Sequence, residues 1–417
     1  MGTKILFCFL AILLPVISFG QQNSLTIKNW QDDEKKDESK QQKLNFYFEN
    51  ANADQNIANT PAESAAAKCA SRTTRIEWQP RWVYSGVGGV NLPHAALSTD
   101  RSLLAIIETS EGSSGAASSA IILLNICNNR VVRVINLPRR KADRLIFFPG
   151  MEKLAVACRV QEKLKQSSSM LLVDCIEGEV IGMNDSFRGE VKSLAASRDG
   201  ANIFALTENP SELLIFKQDE WSNAAVKLDT AGKAISSIAV GKGNVLLTGT
   251  RGEIRVYDAV TGQFFNKISL PADFSPDMMI TSEIVDDIAL LELNGKAYAL
   301  SGKRYKKFFD QVYGTGTYIV ENKTFVTLNR SENLIFFTLP NYDFDNRSVS
   351  TSSVRPKTKG SITQMWSLKP LENKAKKGRS SSKELARLLI IDSHGNIYYF
   401  YKISRKWKKE LVVEAKK

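Results

Sequence analysis

Residues 253–265 read EIRVYDAVTGQFF and contain two short apolar runs joined by a polar turn. Asp258 ends the first run, and Gly262 lies four residues later. An Asp side chain can accept hydrogen bonds from the backbone of a turn, and Gly adopts a positive φ without steric cost. Runs this short and this rich in Val, Ile and Phe favour strands over helices. The segment therefore predicts two antiparallel strands joined by a tight turn.

The same turn occurs at two earlier positions in the chain. Residues 123–132 read LLNICNNRVV, and residues 172–181 read LVDCIEGEVI. These turns join the third and fourth strands of a repeating unit. A second kind of turn, polar and containing Asp or Gly, joins the first and second strands of each unit, as in LSTDRSLLA at 97–105. Each unit is thus strand, tight turn, strand, loop, strand, tight turn, strand. The aligned turn residues are Asn125, Asp174 and Asp258, followed by Asn129, Gly178 and Gly262.

The spacing of these units predicts the fold. We expect their first strands near residues 94, 143, 191, 235, 276, 315 and 361, a mean spacing of about 44 residues, which matches a four-stranded propeller blade of roughly 40–45. The sequence therefore predicts an all-β, seven-bladed β-propeller of antiparallel four-stranded blades over residues 75–417, with six and eight blades as alternatives. Residues 75–84, RIEWQPRWVY, are expected to add a strand that completes the last blade and closes the ring.

Two segments of the sequence resemble the repeats of a known protein family. SRDGANIFAL at 197–206 and IRVYDAVTGQ at 254–263 resemble the blades of WD-repeat and YVTN-type β-propellers. The resemblance covers residues 75–417 and implies a rigid interaction platform more often than an enzyme. The Gly-His and Trp-Asp dipeptides of WD repeats are mostly missing, and Tyr257-Asp258 is the nearest match to the second. The chain resembles a divergent member.

The first residues predict the compartment. Lys4 precedes an apolar run at 5–17, and small residues precede Gln21. The run fits a signal-peptide core of roughly 7–15 residues and is shorter than the about 20 needed to span a bilayer. We expect a signal peptide at 1–20, a disordered polar linker at 21–74 and a periplasmic or extracellular protein with no membrane span after cleavage. An uncleaved anchor is the alternative.

Few residues in this sequence are of the types that catalyse reactions or bind metal ions. His94 and His394 are the two histidines, and neither has a Cys or carboxylate beside it at metal-ligand spacing. No catalytic, metal-binding or cofactor-binding residue is predicted. Four cysteines remain after signal cleavage, and we expect small buried thiols without disulfides. These are Cys69, Cys127, Cys158 and Cys175.

An enzyme is the alternative function. SRDGANIF at 197–204 is loosely similar to the Asp-box turns of sialidases, and DAVTGQFF at 258–265 resembles blades of quinone-dependent dehydrogenases. The alternative is thus a lyase, hydrolase or quinone-dependent oxidoreductase with its site in the central channel. Such an enzyme would show acids and arginines converging on that channel.

Positive charge is concentrated near one end of the chain. The 417 residues are 43% hydrophobic and 24% charged, which is typical of a globular protein and excludes a collagen-like or multi-pass membrane protein. The net charge is +12, and residues 355–417 hold seventeen Lys or Arg against five acids. Within residues 71–354, whose net charge is +1, the one dense basic cluster is KRYKK at 303–307.

The basic segments are expected in connections between strands on one face of blades five and seven. Aromatic side chains lie among their lysines and arginines, and this combination suits an anionic partner. We predict a monomeric, non-enzymatic platform for a protein, an acidic glycan or a membrane surface; a solvated basic surface is the alternative. Export and the lack of a nucleic-acid-binding module argue against nucleic acid. The predicted contact residues are Lys303, Arg304, Lys306, Lys307, Lys374, Lys376, Lys377, Arg379, Arg405, Lys406, Trp407, Lys408 and Lys409.

Overall fold

A computed structural model gives the fold, and seven antiparallel sheets of four strands make up its regular structure. One short 3₁₀ helix, Gln218–Glu220, is the only helix among the described residues. The predicted seven-bladed, all-β propeller is confirmed. The structure describes residues 94–111, 117–127, 130–162, 165–282, 284–293, 295–301, 304–310, 312–320, 323–338, 350–370, 384–403 and 406–413.

Each blade is built from four strands that are consecutive in the chain. The strands of blades one to four are β1 Ala95–Leu97, β2 Leu103–Glu111, β3 Ala117–Asn125 and β4 Arg130–Leu137; β5 Arg140–Phe147, β6 Lys153–Glu162, β7 Lys165–Asp174 and β8 Glu179–Asn184; β9 Glu190–Ala196, β10 Asn202–Glu208, β11 Leu213–Lys217 and β12 Val226–Lys227; and β13 Ile235–Gly241, β14 Val245–Thr250, β15 Glu253–Asp258 and β16 Phe264–Ser269.

The same arrangement continues through the last three blades. The observed first strands all begin within three residues of the predicted starts, blades five and six included. The strands of these blades are β17 Met278–Ile280, β18 Ile288–Leu291, β19 Lys296–Ser301 and β20 Arg304–Asp310; β21 Val312–Ile319, β22 Thr324–Asn329, β23 Leu334–Thr338 and β24 Ser350–Val354; and β25 Ile362–Leu368, β26 Glu384–Asp392, β27 Ile397–Ile403 and β28 Lys406–Val413.

First strands of neighbouring blades contact one another, so the first strand of each blade is innermost and the fourth forms the rim. Connections from first to second and from third to fourth strands lie on one face, which we call the front face. The Ile126 amide donates to the Ser102 carbonyl there at 3.0 Å. The other connections lie on the back face, where the Ser393 amide donates to the Ser361 carbonyl at 2.7 Å.

Seven hydrophobic clusters hold the blades together, one for each pair of neighbours. Side chains on alternate positions of a strand point to opposite faces, so each sheet packs on the blade before it and the blade after it. Between blades two and three, Trp221 lies 5.8 Å from both Phe148 and Phe216, measured between ring centroids. We call these clusters between neighbouring blades the seams, and together they form the hydrophobic core of the described residues.

The predicted turns have the expected aspartate hydrogen bonds and the expected glycine with a positive φ. One carboxylate oxygen of Asp258 accepts from the amides of Val260 and Thr261 at 2.8 and 2.7 Å. Gly262, with a φ of 73°, donates its amide to the Asp258 carbonyl. Asp174 and Gly178 repeat this arrangement in blade two. The aspartate and the glycine therefore fix the same turn in both blades.

Some predictions fall outside the described residues, namely the signal peptide at 1–20, the linker at 21–74 and the extra strand at 75–84. Among the described residues, blade seven has four strands of its own, within residues 362–413. No helix in the described part of the chain is long and apolar enough to cross a membrane.

The cysteine prediction is partly wrong. Cys158 and Cys175 are free and buried, as expected. Burial raises the pKa of both thiols to about 12. Cys127, however, is disulfide-bonded. Cys158 and Cys175 are the described cysteines besides Cys127, and both are free, so the partner of Cys127 lies outside the described residues.

Candidate functional site

The rim strand of blade seven carries the best-defined part of the predicted basic surface. β28 begins at Lys406, so Lys406, Lys408 and Lys409 lie in a strand and not in the predicted connection. All three side chains are exposed. Lys408 pairs across the sheet with Tyr401, which packs against the core between blades seven and one. We call these three lysines the blade-seven lysines.

Trp407 points to the side of the strand opposite to Lys406 and Lys408, and Lys409 lies on the same side as Trp407. Its ring stacks on Phe336 of blade six at 4.8 Å and on Phe400 of its own blade at 4.7 Å. The ammonium of Lys402 lies 5.9 Å from the indole. Trp407 was predicted as a partner-facing aromatic, and the structure places it in the seam between blades six and seven.

The predicted residues of blade five also lie in a rim strand, β20, and blade six separates them from blade seven. Arg304 and Lys307 are exposed, and Lys306 is half-buried. Lys307 forms an ion pair with Asp310 at 2.6 Å. Tyr305, the aromatic among these cations, is 38% exposed. The other predicted contact residues lie outside the described residues: Lys303, Lys374, Lys376, Lys377, Arg379 and Arg405.

A basic cleft that the sequence argument missed lies between blades six and seven on the back face. Its volume is about 300 Å³, and its described lining is Glu332, Arg355, Lys357 and Thr358. The ammonium of Lys409 donates to the Lys357 carbonyl at this point. Arg355 and Lys357 belong to the basic C-terminal stretch, but Pro356 separates them and Thr358 follows, so they do not form a contiguous basic run.

Acids and arginines also meet at the inner strands of blades two and three. Arg159 donates to both carboxylate oxygens of Asp143, at 2.6 and 2.7 Å, and forms an ion pair with Glu190 at 3.1 Å. Arg144 donates to the Lys192 carbonyl at 3.0 Å. These pairs join the two blades, and they are the kind of cluster of acids and arginines that the alternative, an enzyme with its site in the channel, would show.

His94 lies next to this network and is uncharged at neutral pH. Burial, and then the positive charge of Arg144, lower its pKa to about 3. Its Nδ1 atom has no hydrogen-bond partner among the described residues. No group of three or more His, Cys, Asp or Glu side chains in the described ranges could hold a metal ion.

Comparisons with known proteins give the fold. No protein-family model matches the sequence, and no curated protein matches it. The β-propeller domain of Cps50 (Swd1) from Myceliophteria thermophila is similar in structure, with a TM-score of 0.51 and 11% identity over 76% of this chain and 96% of that chain. Hsv2 from Kluyvelomyces marxianus gives 0.47 and 13%, over 77% and 97%. The likeness to the Cps50 (Swd1) domain supports a β-propeller fold for this chain.

Proposed function

We propose that this chain is an exported, non-enzymatic β-propeller that serves as a binding platform for a protein partner or an acidic glycan. One observation carries the proposal: the blade-seven lysines are exposed along a single rim strand, beside a cleft that contains Arg355 and Lys357. A rigid strand fixes the spacing of these cations. Fixed spacing favours a polyanion or a carboxylate-rich surface, because several contacts form without further ordering of the protein.

The position of the lysines on an edge strand also suggests a different role, which is to prevent this strand from pairing with another chain. Lysines on an edge strand prevent that strand from pairing with another chain, and this role needs no ligand. The two roles differ in one measurable respect. A binding surface depends on where the cations lie, whereas protection of the edge does not affect retention on a polyanion beyond the change in net charge.

Charge reversal at blade seven tests the platform. The triple variant Lys406→Glu, Lys408→Glu and Lys409→Glu should elute from a heparin matrix at roughly half the salt concentration required by the wild type, because local positive potential drives retention. The control variant reverses Lys227, Lys233 and Lys267 on blades three and four, which are also exposed. Equal losses of retention in both variants would show an effect of net charge only and would contradict the proposal.

Export is the second part of the proposal, and two features support it. The first twenty residues have the charge and apolar pattern of a signal peptide. The disulfide at Cys127 is typical of an oxidising compartment. N-terminal sequencing of the protein recovered outside the cytoplasm should begin at or near Gln21. Replacing Gly20 by Arg should block this cleavage, because signal peptidase requires a small residue at that position. A wild-type protein that retains Met1 would contradict export.

A further inference from the structure

The connection between blades six and seven, residues 355–361, is held against blade seven by its own backbone. The Lys359 amide donates to the Tyr398 hydroxyl at 3.1 Å, and the Gly360 amide donates to the Asp392 carboxylate at 3.0 Å. The same tyrosine hydroxyl donates to that carboxylate at 2.9 Å. Asp392 is fully buried. The second half of the connection therefore has a fixed position on the back face.

The side chain of Lys409 fixes the first half. Its ammonium donates to the Lys357 carbonyl and lies 5.2 Å from the centre of the Tyr398 ring. The backbone of Lys357 has a positive φ of 54°. The back-face cleft lies at this point, and the side chains of Arg355 and Lys357 line it. Their positions are thus set by a backbone that blade seven holds from two sides.

The two cations of the cleft are available to a ligand. Arg355 and Lys357 are exposed, and neither side chain forms an ion pair or a hydrogen bond with a described residue. Glu332, the acid of the described lining, lies in the turn between β22 and β23 and forms no ion pair with either cation. The described lining therefore has a net charge of +1 around a volume of about 300 Å³.

We propose that this cleft binds one sugar unit of an acidic glycan, with the sulfate or carboxylate group of that unit against Arg355 and Lys357. This site rests on the proposed function, because its ligand is the acidic glycan of that platform. A guanidinium offers a planar fork of donors that matches an oxyanion, and the ammonium adds a second charge. Glu332 and Thr358 can form hydrogen bonds with sugar hydroxyls. Lys409 joins the cleft to β28, so further anionic groups of the same glycan can reach the blade-seven lysines.

An acidic protein segment fits the cleft less well than a glycan. Protein partners are anchored mainly by aromatic and apolar side chains that fill well-packed pockets. All four residues of the described lining are polar or charged. A sugar ring carries hydroxyl groups on several sides and can form hydrogen bonds with such a lining. The composition of the lining therefore favours the glycan.

Two neutral substitutions test the cleft. Arg355→Gln together with Lys357→Asn removes both charges, and Asn tolerates the positive φ at this position. This double variant should bind a heparin tetrasaccharide at least about tenfold more weakly in calorimetry, because charge-assisted hydrogen bonds are lost. The matched control is Arg139→Asn with Arg188→Gln, which removes two exposed cations from other connections of the back face; Arg139 also has a positive φ, of 58°. The control should change the affinity less than about twofold, because salt screens charges on distant blades.

Two further probes identify the chemistry of the ligand. A hexaglutamate peptide is a polyanion without sugar rings, and it should bind the wild type at least about fivefold more weakly than the tetrasaccharide, because a flexible peptide loses more conformational entropy. Equal or tighter binding of the peptide would assign the cleft to an acidic protein segment and overturn the proposal. A desulfated tetrasaccharide separates the two oxyanions: it keeps its affinity if the cleft holds a carboxylate and loses it if the cleft holds a sulfate.

Failure of this site can be distinguished from failure of the platform. If the cleft variant bound the tetrasaccharide as tightly as the wild type, while the blade-seven triple variant still lost heparin retention, the site in the cleft would be wrong and the platform would stand. If the cleft variant lost affinity, while the blade-seven variant and its control lost equal retention, glycan binding would be confined to the cleft and the surface on β28 would be wrong.

Discussion

The indole of Trp407 stacks on Phe336 and Phe400 at centroid separations of 4.8 and 4.7 Å. Phe336 belongs to blade six, so the tryptophan joins two blades whose backbones do not share a sheet. Burial of large aromatic surface is among the strongest stabilising contributions available to a side chain. The exposed lysines on either side of Trp407 therefore project from a strand that this ring anchors.

Replacing Trp407 by Ala should lower the free energy of unfolding by about 3 kcal/mol, because a cavity opens in the seam between blades six and seven. Denaturant titration measures this loss. Tyr305→Ala is the matched control, since that ring is 38% exposed, and it should cost less than about 1 kcal/mol. If the Trp407 variant kept wild-type stability and lost only heparin retention, the indole would be a ligand contact and this account of its packing would be wrong.

The turns and inner strands could be predicted from the sequence, because each depends on residues that are close together in the chain. The turn that ends at Gly262 depends on Asp258 four residues earlier and on the positive φ of the glycine, so the sequence alone identifies it. The apolar inner strands are equally clear, because their neighbours bury both of their sides. Together these signals predicted seven blades, with six and eight as alternatives, and placed the first strand of each blade within three residues of its observed start.

The rim strands were less predictable for a physical reason. In β28, Trp407 is the large apolar side chain in a run of lysines, so the run has no alternation and resembles a solvated connection. The back-face cleft gave no sequence signal either. Its described lining comes from the turn between β22 and β23 and from the connection between blades six and seven, which are separated in the chain by β23 and β24 and meet only in the fold.

At the scale of the whole molecule, the ring closes between blades seven and one through side chains. The hydroxyl of Tyr399 donates to the Ile126 carbonyl at 2.6 Å, and the Ala95 amide donates to Gln364 at 3.0 Å. Arg387 lies over the Tyr399 ring at 4.1 Å within this seam. A hydrophobic cluster from both blades surrounds these polar contacts. Within the described residues, blades seven and one therefore meet through side chains of two four-stranded sheets.

This closure predicts how the ring responds when one seam is weakened. Tyr399→Phe should lower the free energy of unfolding by about 1–2 kcal/mol, because the buried Ile126 carbonyl loses its partner. Tyr401→Phe, two residues along the same strand, is the control and should cost less than about 0.5 kcal/mol. The Tyr399 variant should still unfold in one transition followed by both fluorescence and circular dichroism, since every blade depends on two seams. An early, separate transition would instead show that blades seven and one open independently, and that another contact holds the remaining ring together.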